Sequence, residues 1–472
     1  MTNRNSLLTA AGVVVALVVA AVTAVVLGVF SSSSAHAQDG TWTTYMGSLG
    51  RTGFAAGETS ITPRNAHSLK QRWLLPGKAA ISAQAILAGG LLYWGSWDGY
   101  EHASEPDTGE VVWRTYLGQT KNKRCVPPQA GVTSTAAFGA VDLGGRTTNL
   151  LFVGGGDGSV YALRAATGKV VWSRNFGSPK NGYFIWSSPA LYRSSVYVGV
   201  GSVGDCPLVR GSVLKLDAAT GATQARFDTV PKGCTGATVW TSPTIDAATN
   251  TVYVTTGNAG GACTNHEPLG ESMLQLSAQS LTLEGSWRVP KRQRSPDGDF
   301  SGTPTLFSGR IDGKPTELVG AINKNGIYYA FRRGHVAQGP VWETSPIASL
   351  PEVIASSAWD GDHVYVAGEV TRIRGRACPD SIRAIDPSTG KFVWERCVRG
   401  GDPLAALTAV PGVVFESAGS ILYALRASDG AELFSFQDTS FNLFYAPAAV
   451  AGGTVYVGNT DGKLFALSVG GH

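Results

Sequence analysis

The segment Leu150-Leu-Phe-Val-Gly-Gly-Gly-Asp157-Gly-Ser-Val-Tyr-Ala-Leu-Arg-Ala-Ala-Thr167-Gly-Lys-Val-Val-Trp172 decides the fold. Its alternating apolar residues predict a strand, and Asp157-Gly158 predicts the hairpin turn that follows it. A second strand then leads to Thr167-Gly168, which turns the chain into a third strand that ends at Trp172. The segment is therefore a small antiparallel meander.

The same pattern recurs along the chain. An earlier copy contains Asp98-Gly99, Thr108-Gly109 and Trp113, and in both copies Asp precedes the second Gly by 11 residues and Trp follows it by four. Six more degenerate copies are centred on residues 211–221, 253–287, 326–342, 365–394, 415–430 and 456–467. A spacing of about 40 to 60 residues is typical of four-stranded propeller blades.

The two ends of the repeat array complement each other. The last copy stops at Leu467 without its final strand, and the orphan stretch Lys70-Gln-Arg-Trp73 resembles that missing strand. We therefore predict an all-β fold, an eight-bladed β-propeller of four-stranded antiparallel blades at residues 69–472, closed by an N-terminal strand. Seven blades is the alternative count. A β-sandwich lacks the repeated turn spacing, and a parallel β-helix has a shorter period. Residues 38–68 are predicted to be an extended arm over the outside of the ring.

Residues 1–37 have the features of a targeting segment. No charged residue lies between Arg4 and Asp39, residues 9–30 are almost entirely apolar, and Ala35-His36-Ala37 matches a cleavage pattern. A cleaved signal peptide is the first interpretation, and a membrane anchor at residues 9–30 is the second, because that run is long enough to span a bilayer. Both interpretations place the propeller outside the cytoplasm, with membrane contact only through this segment.

Charge and cysteine content narrow the function classes. The net charge of +4 is small for 472 residues and no Lys/Arg-rich block occurs, so nucleic-acid binding is not predicted. An even number of cysteines in an exported chain predicts disulfides. The preferred pairs are Cys378 with Cys397 and Cys206 with Cys234, each flanking a repeat core, which leaves Cys125 with Cys263. No haem-attachment spacing occurs, so any electron transfer requires a separate acceptor.

Function is expected where the copies depart from the repeat. The largest departures are inserts at residues 203–210, 259–270 and 291–302. They contain acidic, amide and aromatic side chains, and stacking of the blades in order would bring these loops to one face of the ring.

One stretch beside these inserts resembles a known family. Gly236-Ala-Thr-Val-Trp240-Thr-Ser-Pro, followed by Tyr253-Val-Thr-Thr-Gly-Asn258, is similar to a segment of pyrroloquinoline quinone (PQQ) dependent alcohol dehydrogenases and polyvinyl-alcohol dehydrogenases. The resemblance covers the whole exported chain at the level of the repeat. It implies that Trp240 forms the floor under the quinone ring and that Asn258 is a calcium ligand.

Two further positions match the family's site. Asp299-Phe-Ser-Gly302 is similar to the loop bearing the catalytic aspartate, which implies that Asp299 is the base that removes the alcohol proton and a metal ligand. Lys324, in Asn-Lys-Asn-Gly, matches the position of a cationic side chain that contacts the quinone carbonyls. Oxygen ligands suit calcium, and a carboxylate beside a cation suits proton removal.

The chain also departs from the family pattern. The metal-ligating Glu expected near Gly211 is absent, and the shorter Asp205 is the remaining candidate ligand. No two cysteines are adjacent, so the disulfide that many members place over the quinone is missing. Gly298 replaces the Trp that usually precedes the catalytic aspartate.

Each candidate also has a purely structural interpretation. Trp240 resembles the packing tryptophans of the other blades. Asn258, Asp297 and Asp299 lie next to glycines, where such residues often form turns. Lys324 would fit a solvated hairpin.

Two functions therefore remain open. The first is an extracytoplasmic, PQQ- and calcium-dependent dehydrogenase that oxidises an alcohol or polyol and passes electrons to a separate acceptor. The second is a non-enzymatic propeller of the same repeat family, a scaffold or binding module for envelope proteins, since a fold does not fix a function.

Overall fold

The computed structural model describes residues 40–260, 263, 268–349 and 353–472. The targeting segment at residues 1–37 lies outside this described part. Eight four-stranded antiparallel sheets are arranged in chain order, which confirms the predicted eight-bladed propeller. In the part of the chain that is described, no helix is both long and apolar enough to cross a membrane.

The first four blades follow one another along the chain after strand β1 (Leu69–Pro76). Blade 1 comprises β2 (Ile86–Ala88), β3 (Leu91–Gly95), β4 (Tyr100–Ser104) and β5 (Val111–Tyr116). A short hairpin follows, formed by β6 (Thr120–Lys121) and β7 (Gln129–Ala130). Blade 2 comprises β8 (Ala137–Asp142), β9 (Thr147–Gly154), β10 (Ser159–Arg164) and β11 (Val170–Asn175). Blade 3 comprises β13 (Ala190–Tyr192), β14 (Ser195–Ser202), β15 (Ser212–Asp217) and β16 (Thr223–Asp228), with β12 (Tyr183–Phe184) also paired to β14. Blade 4 comprises β18 (Thr244–Asp246), β19 (Thr251–Thr255), β21 (Ser272–Ser277) and β22 (Leu283–Arg288), flanked by the pair β17 (Thr235–Gly236) and β20 (Ala259–Gly260).

The other four blades complete the ring. Blade 5 comprises β23 (Thr305–Ile311), β24 (Lys314–Ile322), β25 (Tyr328–Arg332) and β26 (Trp342–Glu343). Blade 6 comprises β27 (Ala358–Trp359), β28 (Val364–Ile373), β29 (Arg376–Ile385) and β30 (Phe392–Val398). Blade 7 comprises β31 (Thr408–Val410), β32 (Val413–Ala418), β33 (Ile421–Arg426) and β34 (Glu432–Gln437). Blade 8 comprises β35 (Ala449–Ala451), β36 (Thr454–Gly458), β37 (Lys463–Val469) and the N-terminal β1. Single 3₁₀ turns occur at Tyr45–Gly47, Ala66–Ser68, Pro179–Asn181, Lys291–Gln293 and Val336–Gln338.

A tryptophan–glycine contact joins neighbouring blades. Trp172, on the outer strand of blade 2, donates its indole N–H to the carbonyl of Ala218 in blade 3 at 2.9 Å. Its ring covers Gly221, where an added Cβ would lie 2.6 Å from the ring. Equivalent indole N–H bonds join blade 8 to 1, blade 1 to 2, blade 5 to 6 and blade 6 to 7. Their donors are, in that order, Trp73, Trp113, Trp342 and Trp394. The repeated Trp and Thr-Gly elements are therefore the two halves of one interblade contact.

The N-terminal strand closes the ring as predicted. β1 pairs antiparallel with β37, so it is the outer strand of blade 8. Trp73 in β1 donates its indole N–H to the carbonyl of Pro106 in blade 1 at 2.9 Å, and its ring covers Gly109. The first and last repeats are thus joined by the same contact as their neighbours.

A ring of hydroxyl groups surrounds the central channel. At each of five successive blade junctions, a backbone N–H just before the innermost strand of one blade donates to a side-chain hydroxyl of the next blade, at 2.8–3.1 Å. The donors are Gln84, Thr135, Ser188, Ser242 and Thr303, and the last acceptor is Ser356. Ala406 and Pro447 also line the channel, in blades 7 and 8, and neither carries a hydroxyl.

The segment at residues 42–58, here called the plug, closes one end of the channel. Its backbone bonds to the innermost strands of six blades at Leu87, Phe138, Ile245, Leu306, Trp359 and Ala409. Glu58 accepts from the backbone of Gly453 in blade 8 at 2.8 Å. Arg51 is fully buried and donates to the carbonyls of Pro189 and Pro243, in blades 3 and 4, at 3.1 and 3.0 Å. Residues 42–58 therefore do not lie over the outside of the ring, where the whole arm at residues 38–68 was expected.

The six cysteines form three disulfides, of which one was predicted. Cys378 pairs with Cys397 within blade 6. The other two predicted pairs were wrong, because Cys125 pairs with Cys206 and Cys234 with Cys263. Both of these disulfides join inserted loops, and the sequence does not specify which loops meet.

We expect Gly168→Ala in blade 2 to destabilise the protein more than Gly144→Ala. Both glycines have a φ of 68°, so the variants share a left-handed backbone cost of about 1–2 kcal/mol. An added Cβ has nothing within 4 Å at Gly144, but at Gly168 it would lie 2.4 Å from the ring of Trp113. Overpacking should remove about 1–3 kcal/mol more from the free energy of unfolding of Gly168→Ala, measured by urea denaturation. Equal losses would show that the tryptophan–glycine contact does not stabilise the ring.

Candidate active site

Trp240 lies at the end of the channel away from the plug. It precedes Ser242 of the hydroxyl ring, whereas the plug bonds to Pro243 and Ile245 on the other side of that ring. A cavity of about 120 Å³ fills the channel and is lined by Trp240 and by Tyr45 of the plug. Trp240 is partly buried, so part of its ring faces the channel.

Asn258 and Asp299 meet where blades 4 and 5 join. Asn258 follows β19, and Asp299 lies in the connection from blade 4 to blade 5. The backbone N–H of Asn258 donates to Oδ1 of Asp299. Gly257 permits this approach, because an added Cβ would lie 2.9 Å from the same oxygen. Asp299 is 7% exposed, so its carboxylate is held in a defined position within the wall of the site.

Lys324 joins the carboxylates to the tryptophan. It follows β24 in blade 5, and its backbone N–H donates to the carbonyl of Asp299 at 2.9 Å. Its Nζ lies 3.2 Å from Oδ2 of Asp299 and 2.8 Å from Oδ2 of Asp297. The same Nζ lies over the Trp240 ring, 5.9 Å from the centroid. Lys324 therefore lies between a carboxylate and an aromatic face.

Asp297 is part of the site although only a turn-forming role was considered for it from the sequence. Its Oδ1 accepts from Nδ2 of Asn258 at 2.7 Å, and its Oδ2 accepts from Lys324. The Asn258 side chain also accepts, through Oδ1, from the backbone N–H of Gly298 at 2.8 Å. The one available signal was the pair of carboxylates at Asp297 and Asp299 in an inserted loop.

Asp205 lies in blade 3, in a turn between β14 and β15, with a φ of 54°. The residue as a whole is exposed, but partial desolvation of its carboxyl group raises the pKa of Asp205; the negative charge of Asp297 raises it further and Lys324 lowers it. Asp205 also influences the pKa of Asp299. Trp240, Asn258, Asp299 and Lys324 are thus linked by direct contacts, whereas Asp205 is connected to them only through the effect of neighbouring charges on its pKa.

The carboxylates and the lysine perturb one another electrostatically. The pKa of Asp299 is raised to about 6, mainly by burial; the charge of Lys324 opposes this rise, and the charges of Asp297 and Asp205 add to it. Burial alone would lower the pKa of Lys324, but Asp299 and Asp297 raise it above its usual range. Perturbed acids beside a cation in a recess are typical of functional sites.

The donor groups fit a hard cation by their chemistry. Three carboxylates and the amide oxygen of Asn258 supply the oxygen atoms that calcium prefers. When ionised, these carboxylates carry two more negative charges than Lys324 neutralises, a surplus that a divalent cation would balance. No group of three Asp, Glu, His or Cys side chains in the described part is arranged to hold a metal by itself. Any bound cation would therefore need further oxygen atoms, from Asn258 or from a ligand.

Comparison with known proteins places these observations in a family. The family model for the glucose/ethanol/alcohol dehydrogenase β-propeller domain matches residues 42–346. A second model, for outer membrane protein assembly factor BamB, matches residues 337–471. The crystal structure of a quinohemoprotein alcohol dehydrogenase from Comamonas testosteroni has a TM-score of 0.71 at 18% identity, covering 93% of this chain and 82% of that one. This likeness shows the fold.

Two curated relatives show similarity in sequence. The quinohemoprotein alcohol dehydrogenase of Comamonas testosteroni is 28% identical over 315 residues, which cover 58% of this chain and 42% of that relative. A polyvinylalcohol dehydrogenase of a Sphingopyxis species is 26% identical over 424 residues, which cover 77% of this chain and 61% of that relative. The match thus spans less than two thirds of either relative. Since the dehydrogenase model covers more than half of its 472 residues, this chain belongs to the PQQ family of glucose, ethanol and alcohol dehydrogenase β-propeller domains, as its repeats predicted.

Proposed function

We propose that this protein is an extracytoplasmic PQQ-dependent dehydrogenase that oxidises an alcohol or polyol. The observation that carries this proposal is the position of Lys324, whose ammonium group lies between the Asp299 carboxylate and the face of Trp240. A base, a cation and an aromatic platform are the three groups that oxidation of an alcohol by a flat quinone requires from the protein. The relatives named as alcohol and polyvinylalcohol dehydrogenases support the same reaction class.

Each of these groups has a defined chemical task. PQQ, when bound, supplies the two-electron acceptor. Trp240 offers an aromatic face for a planar ring, and Lys324 offers a positive charge for the oxygen atoms of a quinone. Asp299 would accept the proton of the alcohol hydroxyl; its bond from Asn258 and its ion pair with Lys324 support this role. The protein thus orients the reactants and moves the proton.

Calcium is the metal that we propose for this site. Asn258, Asp205 and Asp299 would hold it, and Asp297 would add to the negative charge around it. A calcium ion would contribute positive charge beside the quinone oxygen atoms and the alcohol oxygen. We expect calcium to increase the affinity of the protein for PQQ.

The proposed location and partners follow from the cysteines and the targeting segment. All six cysteines are paired, as is usual for exported proteins and rare in the cytosol. Residues 1–37 would direct export, as a cleaved signal or through an anchor at residues 9–30. Because the sequence contains no haem-attachment motif, we propose that the electrons pass to a separate acceptor.

The second candidate is a non-enzymatic envelope scaffold. It is favoured by the match of residues 337–471 to the BamB model and by the absence of the expected metal-ligating Glu. The two candidates differ in one measurable property, because a scaffold has no need to bind PQQ.

We expect the wild-type protein to bind PQQ in the presence of calcium, and Trp240→Ala to weaken that binding about 10- to 100-fold. Trp240→Phe should retain most of the affinity, since it keeps an aromatic face. Trp359→Ala is the control, because Trp359 is also partly buried but lies on the innermost strand of blade 6 against the plug, away from the Trp240 end of the channel, and it should leave PQQ affinity unchanged. Dissociation constants would be measured by quinone absorbance. Failure of the wild type to bind at micromolar PQQ would support the scaffold instead.

We expect Asp299→Asn to retain PQQ binding within a few-fold and to lower dye-linked alcohol oxidation about 100- to 10,000-fold, because the variant lacks the base. Asp438→Asn is the matched control. Asp438 is 6% exposed and bonds to Lys463 at 2.8 Å, so it is a similar buried pair, formed between blades 7 and 8. Equal turnover in Asp299→Asn and wild type would exclude Asp299 as the base, and equal losses in both variants would indicate a general structural effect.

A further inference from the structure

A second cavity lies where blade 8 meets blade 1. Its volume is about 220 Å³, and it shares no lining residue with the central channel. One wall is the end of the closing strand β1 and the residues that follow it, Leu75, Pro76 and Lys78, and the other wall is formed by β3, β4 and β5 of blade 1. Since a cavity of about 150 Å³ is large enough for a benzene ring, this one can hold a small aromatic molecule.

The inner part of this cavity is aromatic. Trp94 and His102 are cross-strand neighbours on β3 and β4, and their rings stack with centroids 3.8 Å apart and an angle of 4° between the planes. Both side chains are buried, and the Trp94 indole N–H donates to Oγ of Ser104 at 3.2 Å. Burial lowers the pKa of His102 to about 4, so its ring is uncharged at neutral pH. A flat, uncharged ring therefore suits the inner part of the cavity.

The rim of the cavity is cationic. Arg114 is the cross-strand neighbour of His102 on β5, and Lys78 follows β1, and both of these residues are exposed. Asp98 is the one acidic residue among those that line the cavity. The lining thus carries two positive charges and one negative charge, so the cavity favours a ligand with one negative group at its outer end.

Blade 2 shows which group fills the equivalent space in another repeat. Tyr161 has the register position of His102, four residues after the turn aspartate, and its hydroxyl donates to Oδ2 of Asp157 at 2.6 Å. Blades 5 and 7 also have tyrosine at this position, Tyr329 and Tyr423. Because blade 1 has histidine there, its turn aspartate lacks the phenol that Asp157 binds.

We propose that this cavity is a second binding site, which takes a small aromatic anion that carries a hydroxyl group. The ring of the ligand would lie beside Trp94 and His102, as the ring of Tyr161 lies within blade 2. Its hydroxyl would donate to the Asp98 carboxylate, and its negative group would meet Arg114 and Lys78. Because the two walls belong to β1 and to blade 1, a bound ligand would link them and stabilise the closure of the ring.

The probe for this site is 4-hydroxybenzoate, titrated into PQQ-free protein by isothermal calorimetry. We expect a dissociation constant on the order of 0.1–1 mM, because the probe has only about ten non-hydrogen atoms. Saturating probe should raise the thermal midpoint of the protein. Phenol lacks the carboxylate and benzoate lacks the hydroxyl, so each should bind about 10-fold more weakly.

A pair of substitutions at the rim tests the recognition of charge. Lys78→Gln with Arg114→Gln should weaken binding of 4-hydroxybenzoate about 10-fold and leave the affinity for phenol unchanged. Arg146→Gln with Lys169→Gln is the matched control, because it removes the same charge from two exposed positions of blade 2. The control pair should change neither affinity.

One substitution in the inner part tests the location. His102→Tyr should fill the cavity and donate to Asp98, as Tyr161 does to Asp157. It should abolish binding of 4-hydroxybenzoate and raise the thermal midpoint of the ligand-free protein. Trp240→Ala should bind the probe as the wild type does, which separates this cavity from the central channel.

Three results would overturn the inference. The first is the absence of both heat and a thermal shift with the wild type at millimolar 4-hydroxybenzoate. The second is full affinity in a folded His102→Tyr variant. The third is unchanged affinity after the charges of Lys78 and Arg114 are removed, and this result decides the question even if His102→Tyr does not fold. Because no PQQ is present, these outcomes do not depend on the proposed function.

Discussion

The contact between a tryptophan on one blade and a glycine turn on the next is the interaction on which the ring depends. Each strand bearing such a tryptophan pairs with a strand that has alanine opposite the indole, as at Ala162 and Trp172 in blade 2. The small residue leaves room for the indole, whose N–H then satisfies a carbonyl of the following blade. The indole donor lies on the last strand of one blade, and its carbonyl acceptor lies in a turn of the next blade. The contact therefore links each blade to the one that follows it, and closure of the ring lets the N-terminal strand make the same contact with blade 1.

The candidate site lies where this contact is replaced. Blades 3 and 4 have Ala225 and Gly285 at the positions that correspond to the tryptophan, opposite Lys215 and Gln275. Blades 4 and 5 are joined by an apolar cluster in which Trp287 packs on Tyr329 and Phe331, and polar bonds from Asn258 to the connecting loop are added beside it. Apolar junctions bury their atoms completely, whereas a polar junction near solvent can leave charged groups accessible. The chain thus combines a repetitive, rigid scaffold with a few irregular junctions that can carry chemistry.

Much of the fold could be predicted from the sequence because the repeat fixes it locally. Turn residues, alternating apolar residues and the orphan strand at Trp73 act over short distances, and they were sufficient for the blade count and for ring closure. Trp240, Asn258, Asp299 and Lys324 could be selected because each matches a site position of the family that the sequence resembles, and the ring then brings their blades together. The plug and two of the three disulfides were not predictable in this way. They depend on which loops come together at one face of the ring, and the repeat pattern carries no information about those contacts. Asp297 was not predicted as a site residue for a related reason, because its hydrogen-bonding partners come from two different blades.

The plug limits how molecules can enter and leave the central channel. A propeller channel that was open at both ends would allow one molecule to enter while another left, but this channel is sealed on one side by Arg51 and its carbonyl partners. Any molecule that binds at Trp240 must therefore enter and leave the channel at the end opposite the plug. A flat cofactor lying on that ring would itself become the new floor, with the cavity sealed beneath it. On the proposed function, loading would therefore be ordered, with the cofactor first and the smaller reactant second.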